Sequence, residues 1–422
     1  MTETAFKRID WSSLDAVGKK AALARPTQRT AGDVTEVVRT ILNDVRERGG
    51  AAVTEWCLKL DKTPPRRIAI TPGAIAEARN ALPPADTRAL RFAADNIRVF
   101  HQATRPEDTP YVETTPGVRS KLAWRPIASA GLYIPGGTAP LFSSLLMLAI
   151  PAEVAGVRER IAVTPPNKDG GVHPAMILAA AEAGLDAIWL MGGAQAIAAL
   201  TFGVELEDGI IPPCDKLFGP GNAYVAEAKK QASALPGGPA VDMPAGPSEL
   251  MVIVDRDAAP EIAAADLLSQ AEHDADAQVL LVSTSRATID YILTEVEVQV
   301  ATLPREAIAR ASLNEARAIL VRDLDAAAEV ANLYGPEHLA IQVEEAEELV
   351  ESINAAGPSH VLPTDGGAKT LGGVTTASFM TTMSVQLVTE DGARQLAPIA
   401  ARLARMEGLE AHARAADLRA DA

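Results

Sequence analysis

Two short segments in the second half of the sequence bring an imidazole next to another polar group. Glu337 and His338 stand side by side after a Gly-Pro turn and before an apolar run. Histidine has its unperturbed pKa nearest neutral pH, so this pair could transfer protons; the structural alternative is a capping glutamate beside a half-buried histidine. Gln270 and His273 lie three residues apart in a predicted helix and share one face. That second pair predicts either two ligands of one atom, such as a metal ion, or a solvated helix end.

The other histidines divide by their surroundings. His360 lies on a predicted loop, and His412 follows Glu407 on a predicted C-terminal helix. His101 and His173 have no acidic or polar cluster near them in sequence, so we assign both to structure. The remaining four of the six histidines all lie in the second half of the chain, which suggests that they converge.

Three glycine turns each separate a short apolar run from a helical pattern. They lie at 135–137, 192–193 and 219–221. Backbone N–H groups at a strand-to-helix turn form a site that favours anions. None of the three has the G-x-G-x-x-G spacing of a dinucleotide fingerprint, and one alone would be an ordinary connection. Together they predict a nucleotide or phosphate crevice.

The elements that must position these residues are strands alternating with helices. The first series has predicted strands at 132–134, 161–163, 187–191 and 216–218, and the second at 251–254, 279–282 and 318–321. The helix after 254 is predicted to end at Ala275, and helical patterns at 34–48 and 77–103 precede the first series. The alternation predicts an α/β fold with two parallel-sheet layers, between helical N- and C-terminal segments.

Composition narrows the class of protein. Lys+Arg 39 against Asp+Glu 55 gives a net charge of −16, which disfavours binding to nucleic acid or anionic lipid. Cys57 and Cys214 are too few for a disulfide framework or a thiolate metal cage. No stretch reaches the roughly 20 apolar residues of a membrane span. We expect a cytoplasmic protein whose partners are small molecules or proteins, not nucleic acid or membrane.

Six segments resemble histidinol dehydrogenases and occur in that family's order. They are 131–140, 192–200, 218–223, 242–249, 266–273 and 335–339. The similarity extends over nearly the whole chain, from Ile9 to Arg419. It implies two incomplete Rossmann-like layers and an intertwined homodimer. The implied domains are an N-terminal helical segment (1–28), a first α/β domain with the metal and catalytic residues (29–132 plus 248–374), a second, NAD-binding α/β domain (133–247), and a C-terminal helical segment that reaches the partner chain (375–422).

The resemblance also implies a reaction, the last step of histidine biosynthesis. L-histidinol is oxidised through L-histidinaldehyde to L-histidine by two NAD-dependent hydride transfers in a zinc enzyme. Glu337 and His338 match the acid–base pair. His338 would take the hydroxyl proton, and Glu337 would activate the water that hydrates the aldehyde.

Ligand positions carry over by motif as well. Gln270, His273 and His412 match metal ligands, and the zinc orients the substrate's nitrogens. Tyr133, Gln195 and Asn222 match the dinucleotide contacts. Glu407 and His412 would act in trans, in the partner's active site. The positions that match substrate contacts are Ser248, Gln270, His273, His338, His360, Glu407 and His412.

The sequence departs from the family between Asn354 and His360. The family has there a further strand, a turn and an aspartate that completes the zinc site, whereas only five residues stand here. Asp365 follows His360, where the family's ligand precedes it, so it is a poor substitute. Either the protein lacks this segment or the sequence as written omits it. The clean fusion of both flanks favours omission, and an intact mass of 44.2 kDa would establish the short chain.

Two rival functions remain. One is a related zinc- and NAD-dependent dehydrogenase for another polar primary alcohol. The other is a non-catalytic member of the same fold, inactive because the zinc aspartate is absent. Retention of Glu337 and His338 disfavours the second.

Overall fold

The computed structural model of this chain describes residues 6–25, 33–136, 140–243, 246–357 and 362–420. Among those residues no helix has both the length and the apolar content needed to cross a bilayer. The strands are β1 (Lys7–Asp10), β2 (Arg66–Ala69), β3 (Val112–Thr115), β4 (Val118–Pro126), β5 (Ser129–Tyr133), β6 (Glu159–Thr164), β7 (Ala187–Leu190), β8 (Val204–Leu206), β9 (Gly209–Ile211), β10 (Lys216–Phe218), β11 (Ala240–Val241), β12 (Glu249–Val254), β13 (Gln278–Ser283), β14 (Arg317–Leu320), β15 (His338–Gln342) and β16 (Met380–Val388). The α-helices are α1 (Ala16–Ala22), α2 (Asp33–Arg48), α3 (Gly50–Leu60), α4 (Pro72–Asn80), α5 (Pro84–Ala103), α6 (Phe142–Ala155), α7 (Pro174–Glu182), α8 (Gly193–Phe202), α9 (Ala223–Ser233), α10 (Pro260–Ala271), α11 (Arg286–Val300), α12 (Glu306–Leu313), α13 (Leu324–Tyr334), α14 (Ala346–Glu351), α15 (Glu390–Met406) and α16 (Glu410–Ala420).

The first layer is a parallel sheet in the order β1-β14-β13-β12-β15. Side chains of β12 alternate between two cores, so helices must cover both faces. Val252 packs in one core with α10, α11 and α12. Met251 and Ile253 pack in the other core with α13 and α14. A strand that is apolar on both faces is typical of a parallel sheet buried on both sides.

The second layer is a sheet in the order β11-β10-β5-β6-β7-β2, in which only β2 runs antiparallel to its neighbour. Leu132 of β5 packs with α6 and α7, whereas Tyr133 packs with α2, α3, α8 and α9. Strands β5, β7 and β10 run parallel within this sheet, so the glycine turns after β7 and β10 and residues 135–136 of the turn after β5 lie at one edge, whereas residue 137 lies outside the described residues. The two layers, with helices near both ends of the chain, confirm the predicted fold class.

Two predicted helix boundaries were wrong. Helix α10 ends at Ala271 instead of Ala275, because the carboxylate of Asp274 accepts a hydrogen bond from the Asp276 N–H at 2.9 Å and forms a turn. The helical pattern at 77–103 is divided into α4 and α5 at Pro83 and Pro84. Proline lacks the N–H that a continuous helix requires.

A third, antiparallel sheet in the order β16-β4-β3 was not predicted. Strand β16 pairs with β4 along its whole length, from Met380 opposite Pro126 to Val388 opposite Val118. Most side chains of β16 are exposed, although Met383, Val385 and Leu387 alternate with polar residues in the sequence. Its formation depends on a partner strand far away in the sequence.

Candidate active site

Several candidate residues meet at the amino-terminal edge of the first layer. His338 begins β15, which pairs in parallel with β12, and β12 begins at Glu249. Strand β13 pairs with the other side of β12 and begins at the same level. Helix α10 connects the far end of β12 to the start of β13, so its last turn returns to this edge. The fold therefore brings Ser248, Glu337, His338 and the end of α10 to one edge.

Glu337 and His338 are held by the backbone of Glu249. The buried Glu337 carboxylate accepts a hydrogen bond from the Glu249 N–H at 2.7 Å. His338 Nδ1 lies 3.2 Å from the Glu249 carbonyl oxygen and 3.6 Å from Glu337 Oε2. A carbonyl oxygen only accepts hydrogen bonds, so Nδ1 carries the hydrogen in this contact. In the neutral ring, Nε2 is then unprotonated and can accept a proton.

The charge around His338 favours its protonated form. Burial alone would lower the pKa of this imidazole, but the hydrogen bond and charge of Glu337, with Glu249 behind it, leave the pKa raised above the ordinary 6.5. An imidazole with this raised pKa suits a group that takes up and releases protons.

The predicted metal ligands of α10 lie on either side of the helix end. Gln270 is buried in the last helical turn, and His273 is exposed in the turn that follows. The His273 N–H donates to the Gln270 carbonyl at 3.1 Å, and Arg305 donates to the His273 carbonyl. Gln270 and His273 therefore lie at the end of α10, and not within the helix as predicted.

The described side chains of one chain do not fit a complete zinc site. Structural and catalytic zinc is bound by thiolates, imidazoles and carboxylates, usually with four ligands in all. Across the described ranges, no group of three or more His, Cys, Asp or Glu side chains is placed to hold a metal ion. At this edge the potential metal ligands are the amide of Gln270 and the imidazole of His273, and neither is an anionic ligand.

The remaining predicted residues of this site are distributed as follows. His412 is exposed on α16, and Glu407 is exposed at the end of α15. His360 lies outside the described residues. The Asp365 carboxylate lies 3.9 Å from the guanidinium of Arg25, and Asp365 belongs to no metal-binding cluster of the described residues. Among the described residues, no metal-binding cluster of His, Cys, Asp and Glu includes both His412 and His273.

The turn after β7 is built around Asp61, which the sequence analysis missed. The Asp61 carboxylate accepts hydrogen bonds from the Gly192 N–H at 3.1 Å and from Gln195 Nε2 at 3.0 Å. The Gly193 N–H donates to the Tyr133 hydroxyl at 3.3 Å, and burial raises the pKa of Tyr133 to about 12. Tyr133 and Gln195 are thus buried beneath the turn, and the phenol stays neutral.

The turn after β10 is held by a second aspartate that was missed, Asp242. Its carboxylate accepts from the Gly219 N–H at 2.7 Å and forms a buried ion pair with Lys229. Gly219 has a φ of +112°, and an added Cβ would lie 1.9 Å from the Tyr133 carbonyl oxygen, so only glycine fits. Asn222 caps α9 by accepting from two backbone N–H groups.

These contacts revise the predicted anion site. The N–H groups of Gly192 and Gly219 already bind carboxylates, so a dinucleotide would have to use other atoms of this edge. One such atom is Gln195 Oε1, a fully buried acceptor for which the described residues supply no hydrogen-bond donor. A buried acceptor without a donor costs free energy unless a ligand or water satisfies it, so this edge fits a hydrogen-bonding ligand.

Known proteins resemble this chain over nearly its whole length. The family model for histidinol dehydrogenase matches residues 23–420. The chain is 44% identical over 432 residues to histidinol dehydrogenase of Xanthomonas euvesicatoria pv. vesicatoria (strain 85-10), covering 98% of this chain and 99% of the relative. It is 42% identical to histidinol dehydrogenase of Escherichia coli (strain K12), covering 98% of each. The crystal structure of histidinol dehydrogenase from Elizabethkingia anophelis superposes with a TM-score of 0.92 at 36% identity, covering 99% of each chain.

Proposed function

The chain belongs to the histidinol dehydrogenase family, and from that premise we propose that it oxidises L-histidinol through L-histidinaldehyde to L-histidine with NAD, as the last step of histidine biosynthesis. The observation that carries the proposal is the buried Glu337 beside His338, both held by the backbone of one residue. We further propose the domain division and the cytoplasmic location given under Sequence analysis.

His338 is the proton acceptor for the alcohol. With Nδ1 fixed on the Glu249 carbonyl, Nε2 takes the hydroxyl proton as the C–H bond breaks. Bound NAD would supply the acceptor for the hydride that leaves the substrate carbon in each oxidation. After His338 has returned its proton to solvent, the same nitrogen can serve the second oxidation.

Glu337 acts between the two oxidations. Its carboxylate accepts one proton of a water molecule while the water oxygen adds to the aldehyde carbon, and the same proton then passes to the former carbonyl oxygen, which gives the hydrate and restores the carboxylate. The hydrate again carries a hydroxyl group and a hydrogen on the same carbon. The substrate for the second hydride transfer is thereby formed at the same site.

Ligand contacts are proposed at the positions that match the family. Tyr133, Gln195 and Asn222 would hold the dinucleotide, supported by the unsatisfied Gln195 Oε1. The substrate would contact Ser248, Glu407 and His360, the last of which lies outside the described residues. Zinc would be held by Gln270, His273 and His412, with His412 from a second copy. Three neutral donors without a carboxylate or thiolate should bind zinc weakly.

A homodimer is supported by an apolar stripe on the C-terminal helix α15. Ile399, Leu403 and Met406 follow one another at helical spacing and are more than half exposed. Large exposed apolar side chains that are contiguous mark an interaction surface. A second copy covering this stripe would bring a C-terminal segment to the neighbouring chain.

If the site is shared between chains, two variants that cannot complete the reaction should complement each other. We expect neither purified His412→Ala nor purified Glu337→Ala to form L-histidine alone. A heterodimer of the two has one site with both residues intact, so randomly mixed dimers should show about one quarter of wild-type activity. Co-expression with two affinity tags isolates the heterodimer, and absence of recovered activity would count against a shared site.

A substitution at the turn after β7 should affect cofactor binding. Gln195→Leu keeps the volume but removes both polar atoms, so we expect KM for NAD to rise about tenfold, equivalent to ~1.4 kcal/mol, with kcat within about twofold of wild type. Steady-state kinetics at saturating substrate measures both constants. Gln386→Leu, the same change on the exposed face of β16, is the matched control.

The pKa of His338 gives the direction of the pH dependence. The base must be neutral, so kcat/KM should rise with pH through a pKa above 6.5. Glu337→Gln removes the carboxylate that stabilises the imidazolium, and the midpoint should then move to lower pH. Rates of the first oxidation between pH 5.5 and 9 measure the shift; an unchanged or higher midpoint contradicts this assignment.

The experiment that tests the function is direct. Pure protein is mixed with histidinol, NAD and zinc, and NADH absorbance is followed. Two NADH per histidinol are expected. A faster reaction with another polar primary alcohol would favour the first rival, and stoichiometric zinc without turnover would favour the inactive member.

A further inference from the structure

Glu249 connects the two proposed catalytic residues to the rest of the fold. Its N–H donates to Glu337 and its carbonyl accepts from His338, so a movement of this one residue displaces both side chains. Glu249 is also an acidic residue at the first position of an otherwise apolar buried strand, and its side chain is 2% exposed. A charge at such a position requires a partner.

That partner is Arg25, which lies 224 positions earlier in the sequence. Its guanidinium binds the Glu249 carboxylate through two hydrogen bonds, Nε to Oε1 at 2.5 Å and Nη2 to Oε2 at 2.7 Å. Burial raises the pKa of Glu249, and the bonds from Arg25 counteract that effect. A bidentate pair fixes orientation as well as distance.

Arg25 also binds the segment that leads into the catalytic pair. Its guanidinium lies 3.8 Å from the ring centroid of Tyr334 and donates to the carbonyls of Tyr334 and Gly335. Glu337 and His338 follow two residues later. One guanidinium therefore holds the start of β12 and the turn before β15 in a fixed relation.

Residues on both sides of the short connection after Asn354 also contact Glu337 and Glu249. The Gly357 N–H donates to the Glu337 carbonyl at 3.2 Å, and the Asp365 N–H donates to Glu249 Oε1 at 3.1 Å. The described residues on both sides of this connection thus form hydrogen bonds with Glu337 or Glu249.

We infer that Arg25 and Glu249 are positioning residues for Glu337 and His338, an inference that rests on the proposed function of that pair. Neither side chain is placed to transfer a proton to substrate, because the Glu249 carboxylate is enclosed and occupied by Arg25. Their effect is geometric: a displacement of about 1 Å at a catalytic group can cost about 10²-fold in rate.

The test compares Glu249→Gln, Arg25→Gln and Arg25→Lys. We expect kcat to fall about 10- to 100-fold in the two glutamine variants, with KM for histidinol and NAD within about threefold. Arg25→Lys keeps the charge but not the bidentate geometry, so its kcat should be intermediate. Glu329→Gln is the control, because Glu329 also ties the N-terminal segment to α13, through Lys19 and Trp11, without contacting Glu249.

The outcomes are separable. A kcat within twofold of wild type in both glutamine variants, or an equal loss in Glu329→Gln, overturns the inference. Where the single variants fail to fold, Arg25→Met with Glu249→Leu removes both charges together; low kcat in that folded protein supports positioning and normal kcat overturns it. NMR of the His338 ring, which should change in Glu249→Gln, reads out geometry without turnover. If the wild-type protein makes no NADH, the proposed function is refuted but this inference is not. Comparison of the His338 ring signals of wild type and Glu249→Gln by NMR then decides the inference.

Discussion

Replacing His338 with alanine is expected to lower kcat by about 10²- to 10⁴-fold, the usual contribution of a positioned general base. The loss follows from the geometry, since Nε2 is the nitrogen left unprotonated when Nδ1 binds the Glu249 carbonyl. KM for NAD should change little, because the predicted cofactor residues lie on the other layer. Stopped-flow measurement of NADH formation gives the rate, and zinc bound per chain should be unchanged.

His338→Asn separates proton transfer from architecture. The asparagine amide can keep the hydrogen bond to Glu249, but it has no nitrogen that can accept the substrate proton. We expect it to be as slow as alanine. His173→Asn is the matched control, because His173 only caps α7, a role that asparagine also fills. Wild-type rates in His338→Asn would remove His338 from the mechanism.

Replacing Glu337 with glutamine is expected to stop the reaction halfway. Glutamine keeps an oxygen that can accept from the Glu249 N–H, so the local fold should persist. Histidinol should still be oxidised once, but hydration of the aldehyde should slow by about 10²- to 10⁴-fold, because no carboxylate accepts the water proton. The NADH formed per histidinol should fall from two toward one while aldehyde accumulates.

Product analysis measures this directly. A carbonyl-trapping reagent should capture histidinaldehyde from Glu337→Gln but little from wild type. Glu347→Gln makes the same chemical change at an exposed position of α14 and should leave both NADH equivalents intact. Two equivalents of NADH from Glu337→Gln at a normal rate would assign the hydration step to another group.

The amino-acid sequence by itself determined the class of fold and the chemical groups. Short apolar runs followed by helical patterns are local features, and a strand such as β12, apolar on both faces, predicts a parallel sheet covered on both sides. The adjacency of Glu337 and His338 and the spacing of Gln270 and His273 are likewise written in consecutive residues. The resemblance to one family added roles for these residues.

Only the tertiary structure decided how those groups are held. Arg25 and Asp61 look in sequence like ordinary surface charges, yet one binds Glu249 and the other binds the Gly192 turn. Strand β16 was missed for a related reason, because its partner strand β4 lies far away in the sequence. Hydrophobic periodicity reports which face of an element is buried, but not which distant residue will meet it. Partners such as Arg25 and Glu249 are chosen by the folded backbone, because a buried charge is tolerated only where the fold brings its counter-charge to it.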